Sequence, residues 1–387
     1  MIPFLALYLQ EIGVPDPADA AKWAGFIGAA QGISFSISSP FWGYLADRIG
    51  RKPMVVRAMI VSGIGIAAAG FVNDPMLLFF VVLFRGFASG PGTASISLMA
   101  TIAPSNQLTR IVGWVEAAHM VGMTAGLAAG GILAGTIGMQ NTFVAGGILS
   151  ITAGLLVQIF AVENFQRPKP NDQSLPSQSN IATRTGRIRN VLSDLGGLLT
   201  SNLWILCILQ GSLWFSGNGI NFVLPLQIQE LTDRGTAAFW TGMIQSGFSA
   251  LTFVGVLVVP ELARKWGYQR VLVGALIAFA ILFIPQALAP SIITFAALRI
   301  LQGVAFGFVG PLQRSLVGLA APKHRTATVY GIQTTLAGTG MTLGPLVLGT
   351  LVAGNMGVSA SFICASTISL SACLLALRRL NADSIAK

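Results

Sequence analysis

The chain has 387 residues, of which 53% are hydrophobic and only 9% are charged, and its mean hydropathy is +0.74. A water-soluble domain of this size could not solvate its surface with so few charges, so the composition excludes a soluble protein. The 23 Lys and Arg residues outnumber the 13 Asp and Glu residues and give a formal charge of +10, which by itself would also fit a nucleic-acid-binding protein.

Hydrophobic stretches recur along the whole chain, and most are long enough to cross about 30 Å of hydrocarbon, which takes roughly 20 helical residues. The first apolar piece, Ile2 to Leu9, is shorter and would cover only about 12 Å. The pattern then predicts spanning helices near 23–43, 54–72, 76–98, 110–136, 141–162, 200–228, 237–259, 270–289, 291–317, 327–353 and 357–377.

Residues 164–196 form the one long polar stretch and are rich in Pro, Ser, Asn and Arg. They are interpreted as a linker between two membrane domains, residues 1–163 and 197–387.

The basic residues lie in alternate loops. The linker and the segment around Arg51 are basic, whereas the loops around Asp74 and Glu230 carry acids. By the positive-inside rule the basic loops, the linker and the C-terminus are cytoplasmic. The charge therefore indicates membrane topology, and no nucleic-acid partner is expected.

The two domains repeat each other at a nearly constant offset. WAGFI at Trp23 matches WTGMI at Trp240, and GMTAG at Gly122 matches GMTLG at Gly340. A parallel repeat of this kind places a pseudo-two-fold axis along the membrane normal, with a substrate path between the halves.

The run from Gly43 to Lys52 resembles the signature loop between the second and third helices of the major facilitator superfamily. The resemblance implies an all-α integral membrane bundle of two parallel six-helix halves that works by alternating access. The glycines of the predicted fifth helix resemble the antiporter motif of the drug:proton exporters in that superfamily; they are Gly122, Gly126, Gly130 and Gly131.

This resemblance implies a multi-pass transporter of the cytoplasmic (inner) membrane. We expect a monomer that exports small amphipathic or hydrophobic molecules in exchange for protons, without a cofactor. It also implies a cytoplasmic gate at the signature loop, with Asp47 facing the start of the helix near 326–331. The gate residues are Gly43, Asp47, Arg48, Gly50, Arg51 and Lys52; the alternative is a turn with solvated charges.

Three ionisable residues in predicted spans are candidates for proton coupling. Glu116 and His119 lie three residues apart on much the same helical face. Arg85 lies near mid-membrane, where an unpaired charge costs at least about 2.5–3.5 kcal/mol. For each of the three, the alternative is a structural side chain that is hydrogen-bonded to its neighbours.

Aromatic and amide side chains of central helices are candidates for contact with an amphipathic substrate. They are Trp214, Phe215, Asn218, Asn221, Phe222, Gln31, Phe35, Gln302 and Phe306. Packing within the bundle is the alternative for each of them.

The sequence shows no metal-ligand spacing, nucleophile elbow or phosphate-binding loop, so an enzyme is not expected. Two alternatives to drug export stay open, namely export of sugars or other polar metabolites and a non-transport membrane receptor.

The first helix is expected to be incomplete. The segment from Leu5 to Glu11 matches Leu224 to Glu230 at an offset of 219, so Met1 corresponds to Ile220, deep inside the seventh helix of the repeat. We expect a functional transporter to carry roughly twenty further residues ahead of Met1, mostly apolar.

Overall fold

The computed structural model describes residues 2–88, 108–163, 201–320 and 326–379, and within this part every element is helical. The predicted linker, 164–196, lies outside the described residues. So do the side chains of Gly43, Asp47, Arg48 and Glu116, although the helices that carry them are described.

Six helices of the described residues come before the predicted linker. After a short 3₁₀ turn at Ile2–Phe4 they are α1 (Leu5–Glu11), α2 (Pro17–Ile49), α3 (Arg51–Ala69), α4 (Pro75–Ala88), α5 (Leu108–Ile137) and α6 (Met139–Phe160). The described first-half helices overlap the predicted spans, because long apolar runs between charged loops leave little freedom in where a membrane helix lies. The end of the predicted span 76–98, beyond Ala88, lies outside the described residues.

Six more helices follow the predicted linker in the part of the chain that the structure describes. They are α7 (Ser201–Leu231), α8 (Arg234–Trp266), α9 (Tyr268–Ile281, continued by Phe283–Ala287), α10 (Ile292–Ala320), α11 (Thr326–Leu351, followed by a π-helical turn at Val352–Met356) and α12 (Gly357–Arg379). Nine helices of the described part are long and apolar enough to cross a membrane. The predicted all-α membrane bundle is confirmed.

Positive backbone φ angles mark equivalent helix junctions in the two halves. Gly50 joins α2 to α3 with φ +109°, and Gly267 joins α8 to α9 with φ +85°. Gly138 and Gly357 do the same between α5 and α6 and between α11 and α12, with φ +82° and +78°. Only glycine adopts this region without strain, so the repeat preserves backbone turns as well as apolar helices.

The helix ends form two faces of the bundle. We call the face that holds Ile49, Arg51, Phe160 and Trp266 the basic end, and the face that holds Glu11, Asp74 and Glu230 the acidic end.

Glycines allow α3 and α6 to pack backbone against backbone. A Cβ at Gly147 would lie 2.6 Å from the backbone oxygen of Gly63 and 2.6 Å from the Cβ of Ala67. Its neighbour Gly146 is exposed, and a Cβ there would lie 3.9 Å from the nearest atom, in Ile66. Membrane helices associate closely where small residues meet in this way.

This packing predicts that Gly147→Leu destabilises the protein by about 1–3 kcal/mol, because the new side chain must force α3 away from α6. Gly146→Leu, one residue away on the exposed face, serves as the matched control and should unfold like the parent protein. The measurement is denaturant unfolding in mixed micelles, and equal unfolding of the two variants would contradict this description of the α3–α6 contact.

Candidate functional site: the interface between the two halves

Helices α2 and α11 cross between the halves through glycines. A Cβ at Gly25 would lie 2.6 Å from the carbonyl oxygen of Pro345, and a Cβ at Gly349 would lie 2.6 Å from the carbonyl oxygen of Ala21. Closer to the membrane centre, a Cβ at Gly32 would lie 2.7 Å from Oγ1 of Thr342. At these positions the two helices approach more closely than any side chain allows.

Helices α5 and α8 cross in the same way on the other side of the interface. A Cβ at Gly242 would lie 2.5 Å from the carbonyl oxygen of Leu127, and a Cβ at Gly131 would lie 3.0 Å from the carbonyl oxygen of Ala238. One turn further along α8, Ser246 Oγ donates a hydrogen bond to the carbonyl oxygen of Thr124 at 2.8 Å.

The two crossings are copies of each other under the internal repeat. Gly25 and Gly242 occupy the same place in WAGFI and WTGMI, and Leu127 and Pro345 occupy equivalent places after the matched GMTAG and GMTLG segments. A contact from α2 to α11 therefore recurs as a contact from α8 to α5, which is what a pseudo-two-fold axis between the halves requires.

A pair of glutamines joins the halves near the acidic end. Gln10 Nε2 donates to Oε1 of Gln229 at 2.8 Å, and Gln229 Nε2 donates back to Oε1 of Gln10 at 3.0 Å. The two residues are equivalent in the repeat, at the offset of 219 that aligns α1 with α7. The reciprocal pair therefore satisfies both amides across the pseudo-two-fold axis.

Helix α1 is held firmly in place at this end. Tyr8 Oη donates to the carbonyl oxygens of Ala69 and Val72 at 2.6 and 2.8 Å, and its ring makes an edge contact with Phe143. The ring of Phe4 lies 3.4 Å from the position a Cβ would take at Gly130 of α5. The short first helix is thus packed against α3, α5 and α6 as well as paired with α7.

A buried network of hydrogen-bonded side chains lies inside the second half. Arg299 of α10 is only 1% exposed and donates to Oε1 of Gln302 at 2.8 Å and to Oδ1 of Asn221 at 2.9 Å. Its guanidinium also lies 4.6 Å from the ring centre of Phe248. Gln245 donates to the same oxygen of Asn221 at 2.8 Å. Among the described residues no carboxylate pairs with Arg299, so amides and an aromatic face stabilise its charge.

Gln302 and Phe306 belong to this packed region. Gln302 is fully buried, donates to the carbonyl oxygen of Phe279 at 2.7 Å and accepts from Gln286 at 3.1 Å. The ring of Phe306 packs against those of Phe248 and Phe279. Both side chains have protein partners here, and their predicted contact with substrate stays a prediction.

Comparison with known proteins agrees with this arrangement. The sequence profile of the Major Facilitator Superfamily matches residues 1–270 and 206–386. The chain belongs to the Major Facilitator Superfamily. It is therefore a membrane transporter that binds small molecules, and the predictions of family and of a non-enzymatic protein are confirmed.

Two bacterial relatives match nearly the whole chain. The MFS-type transporter YuxJ of Bacillus subtilis is 29% identical over 100% of this chain and 96% of its own length. The multi-drug resistance efflux pump PmrA of Streptococcus pneumoniae is 27% identical over 97% of this chain and 90% of its own length. The crystal structure of the nucleoside transporter NupG shares the fold with a TM-score of 0.77 at 16% identity, covering 97% of this chain and 95% of that one.

The loop that resembles the superfamily's signature lies at the basic end. Gly50 ends α2, and the backbone N–H groups of Arg51 and Lys52, at the start of α3, donate to the carboxylate of Glu163 at 2.9 and 2.8 Å. A carboxylate at a helix N-terminus satisfies free N–H groups and the helix dipole. No local sequence pattern points to Glu163, since it follows α6 and lies more than 100 residues from Arg51 in the chain.

The predicted gate contact joins Asp47 to the start of the helix near 326–331. The side chains of Asp47 and of residues 326–328 lie outside the described ones. The gate roles of all six residues therefore stay predictions: Gly43, Asp47, Arg48, Gly50, Arg51 and Lys52. Nearby, Trp42 of α2 donates from Nε1 to the carbonyl oxygen of Phe87 at 2.6 Å, and the guanidinium of Arg57 lies 3.3 Å from the Trp42 ring centre.

The candidate coupling residues lie in two places. Arg85 of α4 is half-buried, its Nε lies 3.4 Å from Oγ of Ser62, and its Cβ lies 3.3 Å from the position of a Cβ at Gly65. Arg85 thus packs against α3 of its own half. His119 of α5 is exposed, and the side chain of Glu116 lies outside the described ones.

Helical spacing puts Glu116, His119 and Gly130 on one face of α5. That face carries the contact between Gly130 and Phe4 of the 3₁₀ turn ahead of α1, so residues 116 and 119 lie on the same side of α5, about 17–21 Å nearer the basic end. Of the antiporter-like glycines, Gly131 makes the crossing with α8, whereas a Cβ at Gly122 or Gly126 would meet nothing within 4 Å.

The remaining substrate candidates are packed to different degrees. Phe222 is 2% exposed and its ring lies 2.6 Å from the position of a Cβ at Gly28 of α2, so it fills the contact between the halves. Phe215 packs its backbone against Gly344 of α11. Four candidates are half-buried and retain accessible surface: Gln31, Phe35, Trp214 and Asn218.

These crossings predict that Gly131→Leu opens the acidic end. The new side chain cannot fit against α8, and an overpacking cost of about 1–3 kcal/mol would shift a two-state equilibrium roughly 5- to 150-fold. The measurement is the rate at which a maleimide labels Gln229→Cys, in a background without the three native cysteines, and this rate should rise at least about fivefold.

Gly126→Leu is the matched control on the same helix, because its side chain enters open space. It should leave the labelling rate unchanged. Equal rates in the two variants would show that the glycine crossing does not hold the acidic end together.

Proposed function

We propose that this chain exports small amphipathic or hydrophobic molecules, as a monomer, by alternating access coupled to proton import. The observation that carries the proposal is the similarity to the efflux pump PmrA over 97% of the chain, which includes the α5 glycines that resemble the antiporter motif. In this chain Gly131 of that motif lies at the contact between the halves.

The proposed orientation places the basic end and the C-terminus in the cytoplasm. The Arg and Lys residues around the α2–α3 junction and the α8–α9 junction support it, since cytoplasmic loops carry the excess of basic residues. In this orientation the glycine crossings and the Gln10–Gln229 pair close the extracellular side.

The proposed state is therefore inward-facing. The close approaches between α2 and α11 extend from Ala21 to Ser36, which lies 3.4 Å from the position of a Cβ at Gly338. Beyond Ser36, towards the basic end, Ile37 is 71% exposed and Phe41 is 51% exposed. The half-buried Gln31 and Phe35 retain accessible surface that would suit an amphipathic substrate entering from the cytoplasm.

Proton coupling is assigned to Glu116 in this proposal, with His119 on the same face of α5. A carboxyl group that binds a proton in one state and releases it in the other exchanges the proton for the substrate. Arg85 is held against Ser62 and Gly65 of α3, so we propose that it supports the first half and does not itself carry the proton.

Proteoliposomes loaded with a lipophilic cationic dye test the function. We expect the wild-type protein to move the dye against its gradient when a pH gradient is imposed, and to exchange labelled dye without one. Glu116→Gln should abolish the uphill, proton-driven movement, because an amide cannot bind and release a proton as a carboxyl group does. Exchange of labelled dye should largely remain, because it needs no proton movement.

Glu261→Gln serves as the control, since Glu261 is an exposed carboxylate that pairs with Arg264 at 2.9 Å. It should transport like the wild type. Undiminished uphill transport by Glu116→Gln would remove Glu116 from the mechanism, and transport of sugars but not of the dye would favour export of polar metabolites.

A further inference from the structure

An apolar groove of about 570 Å³ lies on the outside of the second half, between α8, α9 and α10. Small residues of α9, Gly274 and Ala278, form its floor, and a Cβ at Gly274 would meet nothing within 4 Å. Side chains of the flanking helices form its walls: Leu262, Leu301, Val304 and Phe308. Leu301 is 55% exposed, so the groove opens on the surface that faces the lipid.

The groove has one charged end. Arg270 lines it together with Trp266, and both are exposed at the basic end of the bundle. Trp266 and the nearby Tyr268 are typical of the boundary between membrane and water, so Arg270 lies at the depth of the lipid headgroups. The nearby carboxylate of Glu261 is already paired with Arg264 at 2.9 Å.

The length of the groove is similar to the thickness of the hydrocarbon in one leaflet of the membrane. From Arg270 to Leu282 the helix α9 rises about 18 Å, and one leaflet contributes about 15 Å of hydrocarbon. The groove therefore begins at headgroup depth with a cation and ends near the membrane centre among apolar side chains. A ligand that complements it has an anionic head and an extended apolar chain.

We propose that this groove binds one anionic glycerophospholipid from the leaflet at the basic end. Its phosphate pairs with Arg270 and accepts a hydrogen bond from the indole N–H of Trp266. One acyl chain lies over Gly274 and Ala278, between α8 and α10. This lipid would contact α10 on the face opposite Arg299 and Gln302, so it is separate from the interface between the halves.

Photo-cross-linking of the purified full-length protein in nanodiscs tests the proposal. The probe is phosphatidylglycerol with a photoreactive group on one acyl chain, and the readout is labelled peptides of α9 and α10. We expect phosphatidylglycerol to label these peptides more strongly than phosphatidylcholine with the same chain. Arg270→Gln should lower the labelling about fivefold, the contribution of one arginine at a membrane surface.

A second variant tests the groove itself. Gly274→Leu fills the floor while it keeps the charge of Arg270, and it should also lower the labelling. Arg234→Gln, an exposed arginine at the acidic end, and Gly146→Leu, an exposed glycine of α6, are the matched controls and should label like the parent.

Labelling that is equal for both lipids and insensitive to Arg270→Gln would overturn the proposal, because it would be ordinary contact with bulk lipid. Labelling that Gly274→Leu leaves unchanged would place the acyl chain outside the groove and would overturn it as well. Because the readout is lipid labelling and not transport, neither result depends on the proposed export function.

Discussion

Close contact between backbones at equivalent glycines is the constraint on which the rest of the structure depends. Gly25 faces Pro345 as Gly242 faces Leu127, and neither contact leaves room for a Cβ. Two helices from one half can therefore close against two from the other without interlocking side chains. Contacts of this kind are made and broken as a unit, because packed interfaces are bistable rather than continuously deformable.

The polar pairing near the acidic end adds specificity to these contacts. The side-chain amides of Gln10 and Gln229 can form both hydrogen bonds only when the two halves are in contact and aligned at this end. When the halves separate, both amides are released to water, which costs little, so the pair can favour one arrangement without locking it. Helix α1 takes part in this because Tyr8 and Phe4 anchor it to α3 and α5.

The two halves differ in how they accommodate their equivalent arginines. Arg299 is buried among Asn221, Gln302 and Phe248, whereas Arg85 is half-buried against Ser62. A charge in the membrane interior needs such partners, so the polar side chains of α7 and α10 are engaged in stabilising Arg299.

Much of this arrangement could be predicted from the sequence. The apolar runs predicted the helices, and the match of WAGFI with WTGMI predicted equivalent roles for Gly25 and Gly242. The match of Gln10 with Gln229 was also a usable signal, since a two-fold axis can bring equivalent residues together. The packed position of Gln302 could not be predicted, because a helix that is apolar all round does not reveal which face meets the protein. The contact of the Glu163 carboxylate with the start of α3 could not be predicted either, because it joins segments that are far apart in the chain.

The most direct test of the central claim, that transport requires the acidic end to open, is a reversible cross-link between positions 10 and 229. Gln10→Cys and Gln229→Cys would be joined by a short bifunctional thiol reagent with a cleavable spacer, in a background without the native cysteines. We expect cross-linking to stop transport in proteoliposomes and cleavage of the spacer to restore it, and we expect either single variant to be unaffected by the reagent. Full transport by the cross-linked protein would contradict it.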